Sequence, residues 1–139
     1  ARPFEAAAPA WAAVEAYRGP LLAEPFLETA FAGERERLRR RAAAIATWLV
    51  AHHAAVGERR RGEEAVERAT WIDPTDEDVW LAAMRFHAAG DRPERVRQAY
   101  WDARKALKAR LGLTPSSAFE QAARDLAAGA GKPAAPWRA

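Results

Sequence analysis

Few side chains in this 139-residue chain could do chemistry, and most of those are cationic. Three histidines are present, His52, His53 and His87, and there is no cysteine. Without thiols there is no disulfide framework, no Cys-ligated zinc or iron–sulfur site and no thiol nucleophile. Adjacent histidines on a helix point about 100° apart, so one metal ion rarely uses both His52 and His53. No carboxylate stands at ligand spacing on the same face. No Ser-His-Asp order, Gly-rich phosphate loop or His-Glu-x-x-His pattern occurs. The expectation is a chain that is not an enzyme and carries no metal and no cofactor.

The cations form two runs, Arg35, Arg37, Arg39, Arg40, Arg41 and then Arg59, Arg60, Arg61. They could meet phosphates or an acidic protein surface, with Arg35, Arg39 and Arg60 as candidates for a basic face. The competing reading is a solvated helix face. Arg39 to Arg41 circle a helix and do not line one stripe, which argues against a groove-reading helix. With 22 Lys+Arg against 19 Asp+Glu the net charge is only +3. A dedicated nucleic-acid binder concentrates more positive charge than that. Six tryptophans are the less usual feature. Large aromatics fill the volume that alanine leaves in a helical core, or they line a groove. Trp48, His52, Trp80, Met84 and His87 are the groove candidates.

Helices must position these groups. Half of the residues are hydrophobic and many of those are alanine, the best helix former. Breakers stand at Gly19-Pro20, Gly57, Asp73-Pro74, Gly90-Asp91 and Gly112 to Pro115, each where an apolar period stops. One long helix is expected from Phe31, with Phe31, Leu38, Ile45, Leu49, His52 and Val56 on one face. A shorter one covers about 62–72. A central helix near 76–89, with Thr75 as N-cap and Asp78 three later, has apolar residues on two adjacent stripes. A fourth runs from Pro93 to Leu111, ended by left-handed Gly112, and a fifth is capped by Ser117 with Glu120. No segment alternates with period two. The fold class is all-α, five or six helices in antiparallel pairs. Residues 1–11 are expected to be a flexible arm, 12–128 the domain and 129–139 a disordered tail. No stretch approaches the roughly 20 apolar residues of a membrane span. The start at Ala1-Arg2-Pro3-Phe4 reads as a segment of something longer, without a signal peptide, and the expected location is cytoplasmic.

Gly62, Val66 and Ala69 share their offsets with Val96, Tyr100 and Ala103, 34 residues on, which is the tetratricopeptide period. Small side chains there suit a close crossing of the two helices of a pair. Five further segments, in register, resemble the bacterial transcriptional activation domain of the Streptomyces antibiotic regulatory protein family. They are Tyr17-Arg18-Gly19-Pro20-Leu21-Leu22, the Arg39-Arg40-Arg41 helix with Leu38, Ile72-Asp73-Pro74-Thr75-Asp76-Glu77, Met84 to Gly90, and Tyr100 followed by Leu111-Gly112-Leu113-Thr114-Pro115-Ser116. The likeness covers about 12–128 and implies a tetratricopeptide-like α–α superhelix.

It also implies a regulatory, non-catalytic domain of a transcription regulator, working by self-association or by contact with the transcription machinery. DNA would be met only through a fused winged helix, for which the 16 residues before Tyr17 leave no room. Two other readings stay open. One is a sensing domain that binds a small metabolite or nucleotide in the helical groove. The other is direct nucleic-acid contact through the Arg-rich helix.

Overall fold

A computed structural model describes residues 3–19 and 31–129. Six helices follow one another: α1 (Pro3–Ala16), α2 (Ala32–Val56), α3 (Arg59–Ile72), α4 (Glu77–Ala89), α5 (Pro93–Leu111) and α6 (Ser117–Gly129). There is no strand among the described residues. The pairs α2–α3 and α4–α5 are antiparallel hairpins. The first helices are neighbours, α2 against α4 and α4 against α6, while α3 leans on α4 and α5 on α6. The architecture is the all-α, tetratricopeptide-like one. The tail 130–139 and residues Pro20 to Leu22 lie outside the described residues.

The flexible arm is replaced by α1. Pro9 lacks an N–H and removes one helical hydrogen bond, which locally favours a break. Packing overrides it. Trp11 and Val14 are buried against the α2–α3 hairpin. Arg68 of α3 then caps the end of α1, its Nη2 donating to the carbonyls of Tyr17 at 2.7 Å and Val14 at 3.3 Å.

The buried side of α2 is also not the expected stripe. Ala42, Ala43, Ala46, Leu49, Val50 and His53 are buried, whereas Phe31, Leu38 and Val56 are exposed. Alanine lets neighbouring helices approach closely, so the bulky residues fall outside the contact. Gly57, left-handed at φ 74°, ends α2, with Glu58 N–H donating to the His53 carbonyl at 3.0 Å. Gly112, at φ 65°, ends α5 as expected. At the end of α4 the left-handed position is Asp91, φ 54°, and Gly90 has an ordinary φ of −86°. Asp91 N–H donates to Ala88 and Arg92 N–H to His87. Two caps differ by one residue from expectation. Asp76, not Thr75, caps α4 by accepting from Asp78 N–H, while the Thr75 hydroxyl turns to Asp73. Ser116, not Ser117, caps α6 by accepting from Phe119 N–H.

Two buried clusters make the interior. The first joins α1, α2, α3 and the Val79 and Phe86 side of α4. The second joins Trp80 and Met84 of α4 with Val96, Ala99 and Ala103 of α5 and Phe119 and Ala123 of α6. Gly62 stands at a close crossing, and its nearest neighbour is on α4. A Cβ there would lie 2.0 Å from Cε2 of Phe86, so it is the first helix of the next pair that needs the space.

Two of the motif segments meet across this frame. Glu77 accepts from Ser116 twice, Oε1 from the backbone N–H at 2.7 Å and Oε2 from the hydroxyl at 2.6 Å. The carboxylate thereby fastens the start of α4 to the start of α6. Glu77→Ala is expected to cost about 1.5 kcal/mol in urea denaturation, the range for hydrogen bonds to a charged group. Ser116→Ala in that background should add only the cost of the lost α6 cap, about 1 kcal/mol, and full additivity of the pair would refute the clasp.

Candidate interaction surface

The α3–α5 side of the array carries the aromatic surface. Trp71, in the last turn of α3, is 54% exposed, and Trp101 on α5 is 57% exposed. Each has an arginine over its ring on the same helix: Arg68 lies 4.7 Å from the Trp71 centroid and Arg104 5.3 Å from that of Trp101. These (i, i+3) contacts follow from helical spacing and hold the indoles flat without burying them. Tyr17 meets Trp71 edge-on, and Tyr100 meets Trp101 likewise. Between α3 and α5 runs a groove of about 500 Å³ lined by Trp71, Pro74, Trp80, Lys105, Ala106 and Ala109. Trp80 forms its floor, anchored by Nε1 donating to the Pro74 carbonyl at 2.8 Å.

The five groove candidates are not assembled into one wall. Met84 and His87 are buried and present no surface. Two stripes of α4 face two clusters, so the helix has little circumference left to offer a ligand. Trp80 reaches a groove, but the one between the second helices and not the first. Trp48 and His52, four apart on α2, stack at 5.0 Å with 12° between their planes, and Trp48 is exposed.

The basic candidates are largely spoken for and lie apart. Arg39 donates to Asp73 at 2.7 Å and to Glu36, tying α2 to the α3–α4 turn. The bonds from Arg39 and Arg40 hold the Glu36 carboxyl below its usual range. Burial outweighs the guanidinium at Asp73 and raises that carboxyl. Arg60 is exposed and pairs with Glu64 at 3.3 Å. Arg35 buries Nε and Nη2 without a hydrogen-bond partner among the described residues. Arg60 begins α3, beside the end of α2, whereas Arg35 begins α2, so a helix length on the order of 30 Å separates them. A single basic face is not what these residues form. Arg37, Arg40, Arg59 and Arg61 also have carboxylate partners within a turn.

The histidines are set apart by burial. His53 Nε2 accepts from Trp11 Nε1 at 2.9 Å, which places its proton on Nδ1, 2.7 Å from the Glu58 carboxylate. Burial lowers its pKa, opposed by Glu58. Burial, with Arg92 and Arg95 adding to it, pushes His87 down to about 4. Among the described residues no group of three or more His, Asp or Glu could hold a metal ion. No described helix is long and apolar enough to cross a membrane.

The sequence does not single out Trp71 and Trp101 among the tryptophans, and it shows neither the pairing of Glu77 with Ser116 nor that of Arg92 with Glu63. For the tryptophans a signal exists, since an arginine stands three residues from each. For the others the partners are 29 and 39 residues away, and spacing carries no such information.

The family model described as bacterial transcriptional activator domain matches residues 1–127. No curated protein and no solved structure matches the chain.

Proposed function

Because this chain belongs to the bacterial transcriptional activator domain family, we propose that it regulates transcription by protein–protein contact, through the side of the array formed by α3 and α5. The contact is with a second copy or with the transcription machinery, and DNA is left to a separate winged-helix module. The observation that carries this reading is the pair of exposed, arginine-braced tryptophans, Trp71 and Trp101. Burying an indole stabilises a complex by several kcal/mol at most, and Trp and Arg dominate the energetically important positions of protein interfaces. An indole held flat by a neighbouring arginine loses little further freedom on binding. The shallow, open α3–α5 groove between hairpins adds a mainly apolar surface beside Trp71.

The reading is tested by titrating the fluorescently labelled chain with RNA polymerase holoenzyme and, in parallel, by sedimentation equilibrium of the chain alone. Trp71→Ala and Trp101→Ala are expected to weaken whichever association occurs at least tenfold, with the circular dichroism unchanged. Trp48→Ala, on α2, should leave it as it was. Association that is indifferent to both α3 and α5 tryptophans, or absent in both formats, would refute the assignment.

A further inference from the structure

A second concavity, of about 550 Å³, opens at the end of the bundle where α2 and α4 finish and α3 begins. Ala54, Val56, Phe86 and Ala89 give it apolar walls, and Arg59 and Arg92 lie at its edge. Arg92 is only 8% exposed and uses one side of its guanidinium. Nη1 donates to the Glu63 carboxylate, and the plane rests 5.2 Å from the Phe86 ring centre. Nε is buried and has no hydrogen-bond partner among the described residues. A buried cationic donor without an acceptor is costly, and its persistence calls for an explanation.

Gly90 supplies the second observation. Its φ of −86° suits any residue, because Asp91 takes the left-handed position of this turn. What glycine provides is space: a Cβ there would stand 3.1 Å from Arg92 Nε and 3.4 Å from Nη2. The Nε–Nη2 edge of an arginine is one that a carboxylate engages with two parallel bonds. Here that edge lies across an exposed glycine, beside an apolar hollow. The charge of the surroundings limits the occupant. Glu63 is already at the guanidinium, and the carbonyl ends of α2 and α4 border the cavity with partial negative charge. These groups repel a dianion more strongly than a single negative charge, so the Arg92 guanidinium offsets the repulsion for a carboxylate more fully than for the phosphate dianion.

We propose that this cavity is a binding site for a small free monocarboxylic acid with an apolar body. The carboxylate sits on Nη2 of Arg92 and, with a small shift of the side chain off Gly90, on Nε, and the hydrocarbon lies against Val56 and Phe86. Such a ligand would touch α2, α3, α4 and the turn into α5 at once. The site is independent of the α3–α5 surface and goes beyond the protein-contact reading.

The test is calorimetric titration of the full chain with sodium hexanoate and, separately, with inorganic phosphate, followed by backbone amide shifts. Hexanoate is expected to bind saturably in the millimolar range and to move the amides of Val56, Gly90 and Arg92. Phosphate is expected not to saturate. Gly90→Ala, which covers the edge while keeping the charge and the Glu63 pair, should weaken hexanoate at least tenfold with an unchanged melting temperature. Arg92→Lys should abolish binding. Should the lysine variant unfold, the glycine variant still decides the matter. Absence of saturation by hexanoate, equal affinity in Gly90→Ala, or tighter binding of phosphate would each overturn the proposal.

Discussion

Gly62→Ala is expected to destabilise the protein by about 2 kcal/mol, and Gly62→Val by about 3 kcal/mol, as overpacking does in a filled core. In an ordinary helix interior the alanine change would add up to about 1 kcal/mol of stability, since glycine is the poorer helix former. The reversed sign comes from Phe86. The new Cβ would stand 2.0 Å from its Cε2 and 2.4 Å from its Cζ. The ring is buried, with the Arg92 guanidinium over one face and His87 against it at 5.4 Å, so it yields only toward the cavity at the end of α2, at the cost of those contacts. Urea denaturation of Gly62→Ala, Phe86→Ala and the double variant closes a cycle in which the double costs less than the sum of the singles. A stabilised Gly62→Ala, or strict additivity, would show that the α3–α4 crossing is looser than described.

Acid is expected to remove a second large contribution. His87 is neutral in the folded state, with its pKa near 4 against an ordinary 6.5. Below pH 6.5 the unfolded chain takes up a proton that the native one refuses, so stability falls with pH. The contribution is complete above pH 6.5, declines through the window and is gone near pH 4, a loss of about 3 kcal/mol. His87→Leu removes the titrating group and leaves no buried donor or acceptor behind. Its denaturation midpoint should therefore depend much less on pH between 6.5 and 4. Some slope should survive, because burial also lowers the His53 pKa and its Nε2 accepts a hydrogen bond from Trp11 N–H. An identical slope in both proteins would refute the assignment to His87.

The helices are legible because their signals are local. Apolar periods, Gly57, Gly112 and Asp73-Pro74 are each read within one turn, and the structure places element boundaries close to them. Burial on α2 is less legible because bulk is a poor guide where helices pack closely. Leu38 and Val56 look like core, yet Ala42, Ala43 and Ala46 occupy it. At α1, Pro9 argues locally for a break, and only the tertiary contacts of Trp11 and Val14 outweigh it. Met84 and His87 are buried for a related reason, while Trp80 reaches the α3–α5 groove by its edge. Trp80, Met84 and His87 suggest a wall because their stripe adjoins that of Val79, Ala83 and Phe86. In a helix lodged between two others, both stripes turn inward. Trp71 and Trp101 are visible as residues but not as surface, since exposure depends on what fails to pack against them.

The position of α4 has one more consequence. Among the described residues it alone contributes buried side chains to both clusters, Val79 and Phe86 to one, Trp80 and Met84 to the other. Such a rod behaves like an axle shared by two gears. A small roll about its own axis would present altered teeth to α2 and α3 on one flank and to α5 and α6 on the other.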